Sequence, residues 1–456
     1  MRYILSVIAI LWAVGGCVPP TQPRENQPPE TFVFIAPPDS ATMLDTTTSL
    51  QVVAWYGNDP DGEVVGFYYA WNDTSDWVWT EQWQDTFQLM LVTPESVFVF
   101  FVKAVDDSGA VDPTPASVAL PVENSFPSIR FRAGSNPPPG VNLTTLSVRS
   151  FFWEATDPDG DETIEGYLYA VDDTTVWEFI DDPDARHITL TGLSPGTHRF
   201  FVKAVDVAGG MSDVIFYPDT GDTWWVEEVK GNVLLVDDAA LESGEDATIF
   251  YTTMLDSLFT PDGYTYWDIG NDVNFPYSTI DIDSTLALFD IVVWYTSWAG
   301  DEGKLATSAN SIRKFRERGG KVFLTVSPSM RPYDDDGVVY AFLPVDTSAL
   351  VVDLPRDRRL YTTAVVDSLW GTVLYSTQVV LMPDTTQEFD TLATLWDSTF
   401  VTADEDTLTG TLLVGLAMPD IVAPELVYLQ FPVYGYTGDS LNVTFFTQLI
   451  SLLEGK

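Results

Sequence analysis

The sequence predicts a multidomain chain in which two all-β sandwiches precede a three-layer, doubly wound α/β domain. Two observations support this: sequence blocks recur about 100 residues apart in the first half, and strand–helix alternation begins near residue 230. The predicted segments are an amino-terminal leader (1–16), a Pro-rich stalk (17–29), sandwich 1 (30–124), sandwich 2 (125–229) and the α/β domain (230–456), which contains a β-rich insertion (334–420).

Composition excludes several functions. The 456 residues include 67 Asp and Glu against 21 Lys and Arg, so the formal charge is 21 − 67 = −46. A field this negative repels phosphate, which excludes nucleic acid as a partner. One cysteine excludes an intrachain disulfide framework, and two histidines leave little material for His-based metal or triad chemistry. A hydrophobic fraction of 45% nevertheless indicates a folded chain.

The amino terminus predicts membrane anchorage. Arg2 precedes an apolar run from Tyr3 to Val14, and small residues lead directly into Cys17. This order resembles the lipobox of bacterial lipoproteins, which implies cleavage before Cys17 and attachment of acyl chains such as palmitate to it. Five prolines between Val18 and Pro29 then favour an extended stalk. Since Val18 rather than Asp follows the cysteine, the resemblance implies the outer membrane of the cell envelope. The alternative is an ordinary signal peptide with an incidental cysteine.

The two predicted sandwiches are copies of one another. Each has short runs of Val, Phe, Tyr and Trp separated by Asp, Pro and Gly, as β-sandwiches do. The copies resemble immunoglobulin-like and fibronectin type III-like modules, which implies a spacer or adhesive role. The matched blocks are WYGNDPDG at 55–62 with WEATDPDG at 153–160, GFYYA at 66–70 with GYLYA at 166–170, and FFVKAVD at 100–106 with FFVKAVD at 200–206.

Acidic residues in these copies predict two calcium sites. In such a sandwich the B–C and F–G loops lie at the same end, so their carboxylates converge, and calcium prefers oxygen ligands. The alternative is that Asp-Pro-Asp-Gly is simply a favourable turn. The candidate ligands are Asp59, Asp61 and Asp106 in copy 1, and Asp157, Asp159, Asp161 and Asp206 in copy 2.

Copy 1 also has a Trp-rich segment. Trp71, Trp77, Trp79 and Trp83 lie near Asp73, an arrangement that suits stacking of sugar rings. Because Trp77 and Trp79 share one strand face, the favoured interpretation is that they pack the sandwich core.

The last part of the chain alternates between strands and helices. Val233–Asp238 is a continuous apolar run of the kind found in buried parallel strands. Further strands are predicted at 264–269, 291–295 and 321–326, and apolar stripes predict helices at 249–259, 305–315 and 440–454.

This order resembles the class I glutamine amidotransferase-like superfamily, with matching residues at 233–238, 289–296 and 318–325. The resemblance implies a flavodoxin-like sheet and a nucleophilic cysteine after a strand such as 321–326, served by a downstream histidine. Here that turn reads Ser327-Pro328-Ser329-Met330, and residues 230–456 contain neither Cys nor His. The domain is therefore interpreted as degenerate, with no catalytic residues.

Two aspartates mark a candidate ligand pocket in this domain. Asp237 and Asp238 end a parallel strand, where open α/β sheets bind ligands. The alternative is that each aspartate forms hydrogen bonds to the following loop. The insertion has acidic turns at 334–337 and 404–406, which are interpreted as solvated loops.

The sequence thus predicts a non-enzymatic, lipid-anchored envelope protein that displays an α/β head on sandwich spacers. Its expected partners are the membrane, through its lipid, and an envelope protein or a glycan. Calcium is the one cofactor that the sequence suggests. The alternative is a carboxylate-based hydrolase acting on envelope or extracellular polysaccharide. A structural subunit of a surface-assembly apparatus differs from the first hypothesis only in its partner.

Overall fold

A computed structural model describes residues 25–35, 49–239, 245–260, 262–270, 274–296, 304–326 and, in separate stretches, 333–455. The chain divides into two compact units that do not follow the borders of the copies. Unit 1 comprises residues 1–127, 156–164 and 206–211, and unit 2 comprises residues 128–155, 165–205 and 212–456.

Unit 1 contains the sandwich of copy 1. One sheet has the order β1-β2-β5 and the other β4-β3-β6-β7. Between them lie Trp55, Phe67 and Phe100, each at most 1% exposed, and the rings of Trp55 and Phe100 are 5.3 Å apart. The strands are β1 (Glu30–Ile35), β2 (Leu50–Asn58), β3 (Val64–Trp71), β4 (Val78–Thr80), β5 (Gln84–Gln88), β6 (Glu95–Asp106) and β7 (Ala116–Glu123).

The sandwich of copy 2 lies largely in unit 2. Its sheets have the orders β13-β10-β8, β12-β11-β15-β16 and β14-β17-β9. Phe151 and Phe200 stack in its core with ring centroids 4.1 Å apart. The strands are β8 (Ser128–Phe131), β9 (Leu143–Thr145), β10 (Val148–Thr156), β11 (Ile164–Val171), β12 (Glu178–Ile180), β13 (His187–Thr191), β14 (Gly196–His198), β15 (Phe200–Asp206), β16 (Ile215–Tyr217) and β17 (Trp224–Val226).

The α/β domain confirms the predicted doubly wound sheet. Five parallel strands lie in the order β19-β18-β20-β21-β30. The elements are β18 (Val233–Asp238), α1 (Glu245–Phe259), β19 (Tyr264–Asp268), α2 (Thr279–Leu286), β20 (Ile291–Thr296), α3 (Leu305–Glu317), β21 (Lys321–Thr325), β30 (Leu426–Leu429) and α4 (Leu441–Glu454).

The first four residues of strand β18 are apolar because both faces of the strand are covered. Val233 and Leu235 belong to a core that includes residues of α1 and α4. Leu234 and Val236 belong to a second core that includes residues of α2 and α3. Successive side chains of a strand point to opposite faces, so one run of apolar residues serves two helical layers.

The insertion extends this sheet. β29 pairs antiparallel with β30, and β28, β25 and β26 follow in order. The predicted β-rich character is confirmed. The strands are β22 (Tyr333–Asp334), β23 (Gly337–Val338), β24 (Val345–Val351), β25 (Asp357–Thr362), β26 (Leu369–Thr372), β27 (Gln378–Pro383), β28 (Asp390–Val401) and β29 (Thr407–Met418).

Within unit 2, a buried ion pair joins strand β10 to helix α2. Arg149 Nη1 lies 2.8 Å from Asp281 Oδ2, and the two residues are 1% and 2% exposed. Burial lowers the pKa of Arg149 and raises that of Asp281, because desolvation disfavours both charged forms more strongly than their attraction favours them.

Candidate functional site

The outer face of β1 and β2 carries exposed aromatic rings. Phe32 and Tyr56 pair across the two strands and stack with centroids 4.8 Å apart and an interplanar angle of 16°. They are 37% and 44% exposed, and Phe34, two residues along on the same face, is 48% exposed. We call Phe32, Phe34 and Tyr56 the aromatic face.

Copy 2 has charged residues at the matching positions. With the offset of 98 that relates Trp55 to Trp153, Phe32 and Tyr56 correspond to Arg130 and Glu154. These two form an exposed ion pair, with Arg130 Nη2 2.8 Å from Glu154 Oε2. Since copy 2 folds into the same kind of sandwich with this pair, the fold does not require aromatic rings at these positions.

The other sheet of copy 1 also exposes a ring, but copy 2 repeats it. Trp79 lies over Gly66 and is 43% exposed, and Phe179 lies over Gly166 and is 44% exposed. A side chain at either glycine would collide with the ring above it. This repeated cover of a strand glycine is a packing feature of the sandwich.

The prediction that Trp77 and Trp79 pack in the core is wrong. β4 lies at the edge of its sheet, and its register with β3 places Trp79 opposite Tyr68, on the face away from the core. Lys103 Nζ lies 3.9 Å from the ring centroid of Trp77 on that same face. Trp71 packs against the core cluster of copy 1, and Trp83, although half-exposed, has its ring 5.2 Å from that of the core residue Phe67.

The acidic loops of copy 1 converge at one end of the sandwich, and a residue before β1 caps them. Asn26 Nδ2 donates to Asp106 Oδ2 at 2.7 Å, and the backbone N–H of Gln27 donates to Asp61 Oδ1 at 3.3 Å. Asp59 Oδ1 accepts from the backbone N–H of Asp61, while its buried Oδ2 has no donor among the described residues. Asp61 itself is exposed.

The equivalent loops of copy 2 lie in unit 1 and are more deeply buried. Asp157, Asp159 and Asp206 are 7%, 1% and 0% exposed. Asn124 Nδ2 donates to Asp206 Oδ2 at 2.8 Å, and the backbone N–H of Ser125 donates to Asp159 Oδ2 at 2.6 Å. Burial raises the pKa of Asp157 to about 6, and repulsion from Asp159 and Asp206 acts in the same direction.

Asp161 has a local role in this loop. Its Oδ1 accepts from the backbone N–H of Asp157 at 3.0 Å, which closes the turn. Across the part of the chain that the structure describes, no three His, Cys, Asp or Glu side chains are arranged to share a metal ion. Calcium binding by the predicted ligands therefore stays a prediction.

At the end of β18, protein donors engage both candidate pocket residues. Asp237 accepts from the hydroxyls of Thr248 at 2.7 Å and Tyr266 at 2.6 Å. Asp238 accepts from Trp294 Nε1 at 3.1 Å and from the backbone N–H groups of Lys304 and Leu305, so it caps the first turn of α3. Burial raises the pKa of Asp238 to about 7, against these hydrogen bonds. Ligand binding at Asp237 and Asp238 stays a prediction.

Several predicted features lie outside the described residues. These are the leader, the lipidated Cys17, the turn Ser327–Met330 and the acidic turn 404–406. Among the described residues, no helix is long and apolar enough to cross a membrane.

Comparison with known proteins found partial similarities only. No family model matches the chain. Endoglucanase B from Cellulomonas fimi is 25% identical over 175 residues, which are 37% of this chain but only 16% of that protein. The fibronectin(III)-like modules of CbhA from Clostridium thermocellum are 16% identical, with a TM-score of 0.19, covering 40% of this chain and 87% of theirs. A ThuA-like protein from Bacteroides uniformis is 10% identical, with a TM-score of 0.33, covering 52% of this chain and 94% of its own.

Sequence reasoning missed the aromatic face and the capping asparagines. Aligning the copies at the offset of 98 places Phe32 against Arg130 and Tyr56 against Glu154, a contrast visible without a structure. The same offset relates Asn26 to Asn124, since 124 − 26 = 98. Their role was not visible because their aspartate partners lie 80 and 82 residues away.

Proposed function

We propose that this chain is a non-enzymatic, lipid-anchored envelope protein that binds a neutral glycan through the aromatic face of copy 1. Cys17 would carry the anchor, and the Pro-rich stalk and sandwiches would hold the α/β domain away from the membrane. The proposal rests chiefly on one observation: copy 1 exposes a stacked aromatic pair where copy 2 has an ion pair.

Exposed aromatic rings need a reason when the fold does not require them, because hydration of their surface is unfavourable. A flat pair of rings suits the C–H face of a pyranose, which is apolar while its rim carries hydroxyls. Gln84 pairs with Ala54, which in turn pairs with Phe34, so an amide lies on the same face within two strands. It supplies hydrogen bonds of the kind that fix a ligand's orientation.

The net charge of the chain indicates which glycans it can bind. The chain has a formal charge of −46, so it repels uronate-rich or sulfated polymers at low ionic strength. A neutral polysaccharide is not repelled in this way. The expected ligands are therefore uncharged glycans such as β-glucans.

The test exchanges the aromatic pair for the pair of copy 2. Phe32→Arg with Tyr56→Glu introduces an ion pair that the sandwich already tolerates, so we expect the fold to remain intact. Affinity electrophoresis in gels containing neutral or acidic polysaccharides would measure binding. We expect the wild type to be retarded by a neutral polymer and the double variant to migrate freely.

Trp79→Phe is the matched control, because it introduces the residue that copy 2 has at the equivalent position on the other sheet. It should bind as the wild type does. Equal retardation of wild type and double variant on every neutral polymer, or no retardation of the wild type on any of them, would refute the proposed binding face.

A further inference from the structure

Both ring nitrogens of His198 in copy 2 lie within hydrogen-bond distance of acceptors. Nδ1 lies 2.8 Å from Asp172 Oδ2, and Nε2 lies 2.6 Å from the backbone carbonyl oxygen of Ser194. A neutral imidazole has one N–H group and can donate to only one of these oxygens. A second proton, on the ring or shared with the carboxylate, is therefore needed for both contacts to be hydrogen bonds.

The surroundings of the ring make the loss of this proton unfavourable. The side chain of His198 is 7% exposed, and its ring centroid lies 5.5 Å from that of Trp224. Without the second proton, one of the two short contacts would bring lone pairs face to face. Burial limits the water that could supply the missing donor, and an unsatisfied buried polar group is costly.

Copy 1 forms the same turn without a histidine. With the offset of 100 that relates the FFVKAVD blocks, Asp172 and His198 correspond to Asn72 and Phe98. The Oδ1 atoms of Asn72 and Asp172 accept from the matching backbone N–H groups at 3.1 and 2.7 Å, and both residues have a φ of 63°. The turn itself therefore requires neither a carboxylate nor a histidine.

We propose that the His198–Asp172 pair binds one proton at neutral pH and makes the stability of copy 2 depend on pH. An unfolded histidine, whose ordinary pKa is about 6.5, has largely released this proton at about pH 7.5. The contribution of the pair to stability is thus fully present below about pH 6.5 and is lost as rising pH removes the proton from the folded chain. This proposal is independent of glycan binding by copy 1.

The other charged groups on the neighbouring segments are engaged elsewhere. Asp173 and Asp222 each accept from a backbone N–H of a loop. The guanidinium of Arg199, which follows His198 in the chain, lies over an aromatic ring of β16. Within the part of the chain that the structure describes, Asp172 is the only acidic residue that pairs with His198.

The experiment uses the full-length, detergent-solubilised chain labelled with ¹⁵N-histidine. Only two histidines are present, so His198→Phe, which introduces the residue of copy 1, assigns the ring signals. At about pH 7.5 we expect His198 to have two protonated ring nitrogens. Asp172→Asn should leave one, because the amide Nδ2 donates to Nδ1 and a neutral ring then satisfies both contacts. Asn72→Asp is the matched control: it places a carboxylate in copy 1 beside no histidine and should leave the His198 signals unchanged.

Thermal unfolding at about pH 6 and about pH 8 is the second readout. Asp172→Asn should lose less melting temperature between these values than the wild type does. Asp238 contributes to the same loss, so Asp238→Asn serves as the reference for the remaining slope. A single protonated nitrogen in wild-type His198 at about pH 7.5, or two in Asp172→Asn, would overturn the proposal. A pH dependence of melting that Asp172→Asn leaves unchanged would overturn it equally.

Discussion

At the scale of single residues, the Arg149–Asp281 pair shows what burial does to charge. The Arg149 guanidinium lies 5.4 Å from the ring centroid of Phe151 and 5.8 Å from that of Tyr277. Its Nε and Nη2 have no hydrogen-bond acceptor among the described residues. Among the described residues, Asp281 is thus the only one that forms an ion pair with Arg149. Its loss would leave the buried Arg149 charge without a partner.

Removing Asp281 should therefore destabilise unit 2 far more than breaking an exposed pair does. We expect Asp281→Asn to lower the free energy of unfolding by about 3–5 kcal/mol. Glu154→Gln, which breaks the exposed Arg130–Glu154 pair, should cost about 0–1 kcal/mol. Urea denaturation followed by near-ultraviolet circular dichroism measures both changes.

Replacing both charges of the buried pair by apolar residues is the control for this prediction. Arg149→Met with Asp281→Leu should recover most of the lost stability, since no unpaired charge then remains. Equal costs for Asp281→Asn and Glu154→Gln would contradict the assigned importance of the buried pair.

At the scale of elements, Asp238 couples strand β18 to the start of helix α3. Its carboxylate accepts from two backbone N–H groups at the helix amino terminus, which have no partner within the helix. Burial nevertheless raises its pKa to about 7, so the folded chain holds this proton more tightly than the unfolded chain, where Asp has a pKa of about 3.9.

Because of this raised pKa, the stability of the folded chain should fall as pH rises, whereas a salt-bridged aspartate has the opposite effect. The contribution of Asp238 to stability is fully present below about pH 4 and is lost as pH rises through about 7. We expect the free energy of unfolding to fall by about 2–4 kcal/mol between pH 5 and pH 8. Asp238→Asn should flatten that profile, which denaturation at a series of pH values would show. An unchanged slope in the variant would assign the pH dependence to other groups.

The sequence predicted elements well where burial leaves a simple pattern. Residues 233–236 and 291–295 are continuous apolar runs, and the structure confirms that both lie in central parallel strands. In β1 the run from Phe32 to Ile35 is also continuously apolar, so the pattern does not tell the inner face from the outer one. The contacts of Asp238 with Lys304 span 66 positions, and no local pattern reveals such a partner.

At the scale of the whole molecule, the excess of acidic residues determines how the chain interacts with a membrane surface. With a formal charge of −46, it is repelled by anionic lipid headgroups, so electrostatics alone would not hold it on a membrane. Acyl chains contribute about 0.8 kcal/mol per buried CH₂ group and would overcome that repulsion.

Anchorage should therefore depend on Cys17. We expect Cys17→Ala to abolish labelling by radioactive palmitate; the label is the readout because an uncleaved apolar leader would itself hold the variant on a membrane. Val18→Asp is the matched control: it should keep the lipid but move the protein from the outer to the inner membrane fraction. Absence of labelling in the wild type, or equal labelling of Cys17→Ala, would show that Cys17 carries no lipid.

The asparagine caps redefine the unit that was duplicated. Asn26 donates to Asp106 in copy 1 as Asn124 donates to Asp206 in copy 2. Each copy therefore has a capping asparagine just before its first strand. The duplicated segment therefore begins at the capping asparagine and ends just before the next capping asparagine. Asn124 of copy 2 follows directly after Glu123, the last residue of β7 in copy 1, so no separate linker lies between the two modules. A further copy added at such a point would bring its own asparagine and would need no added linker.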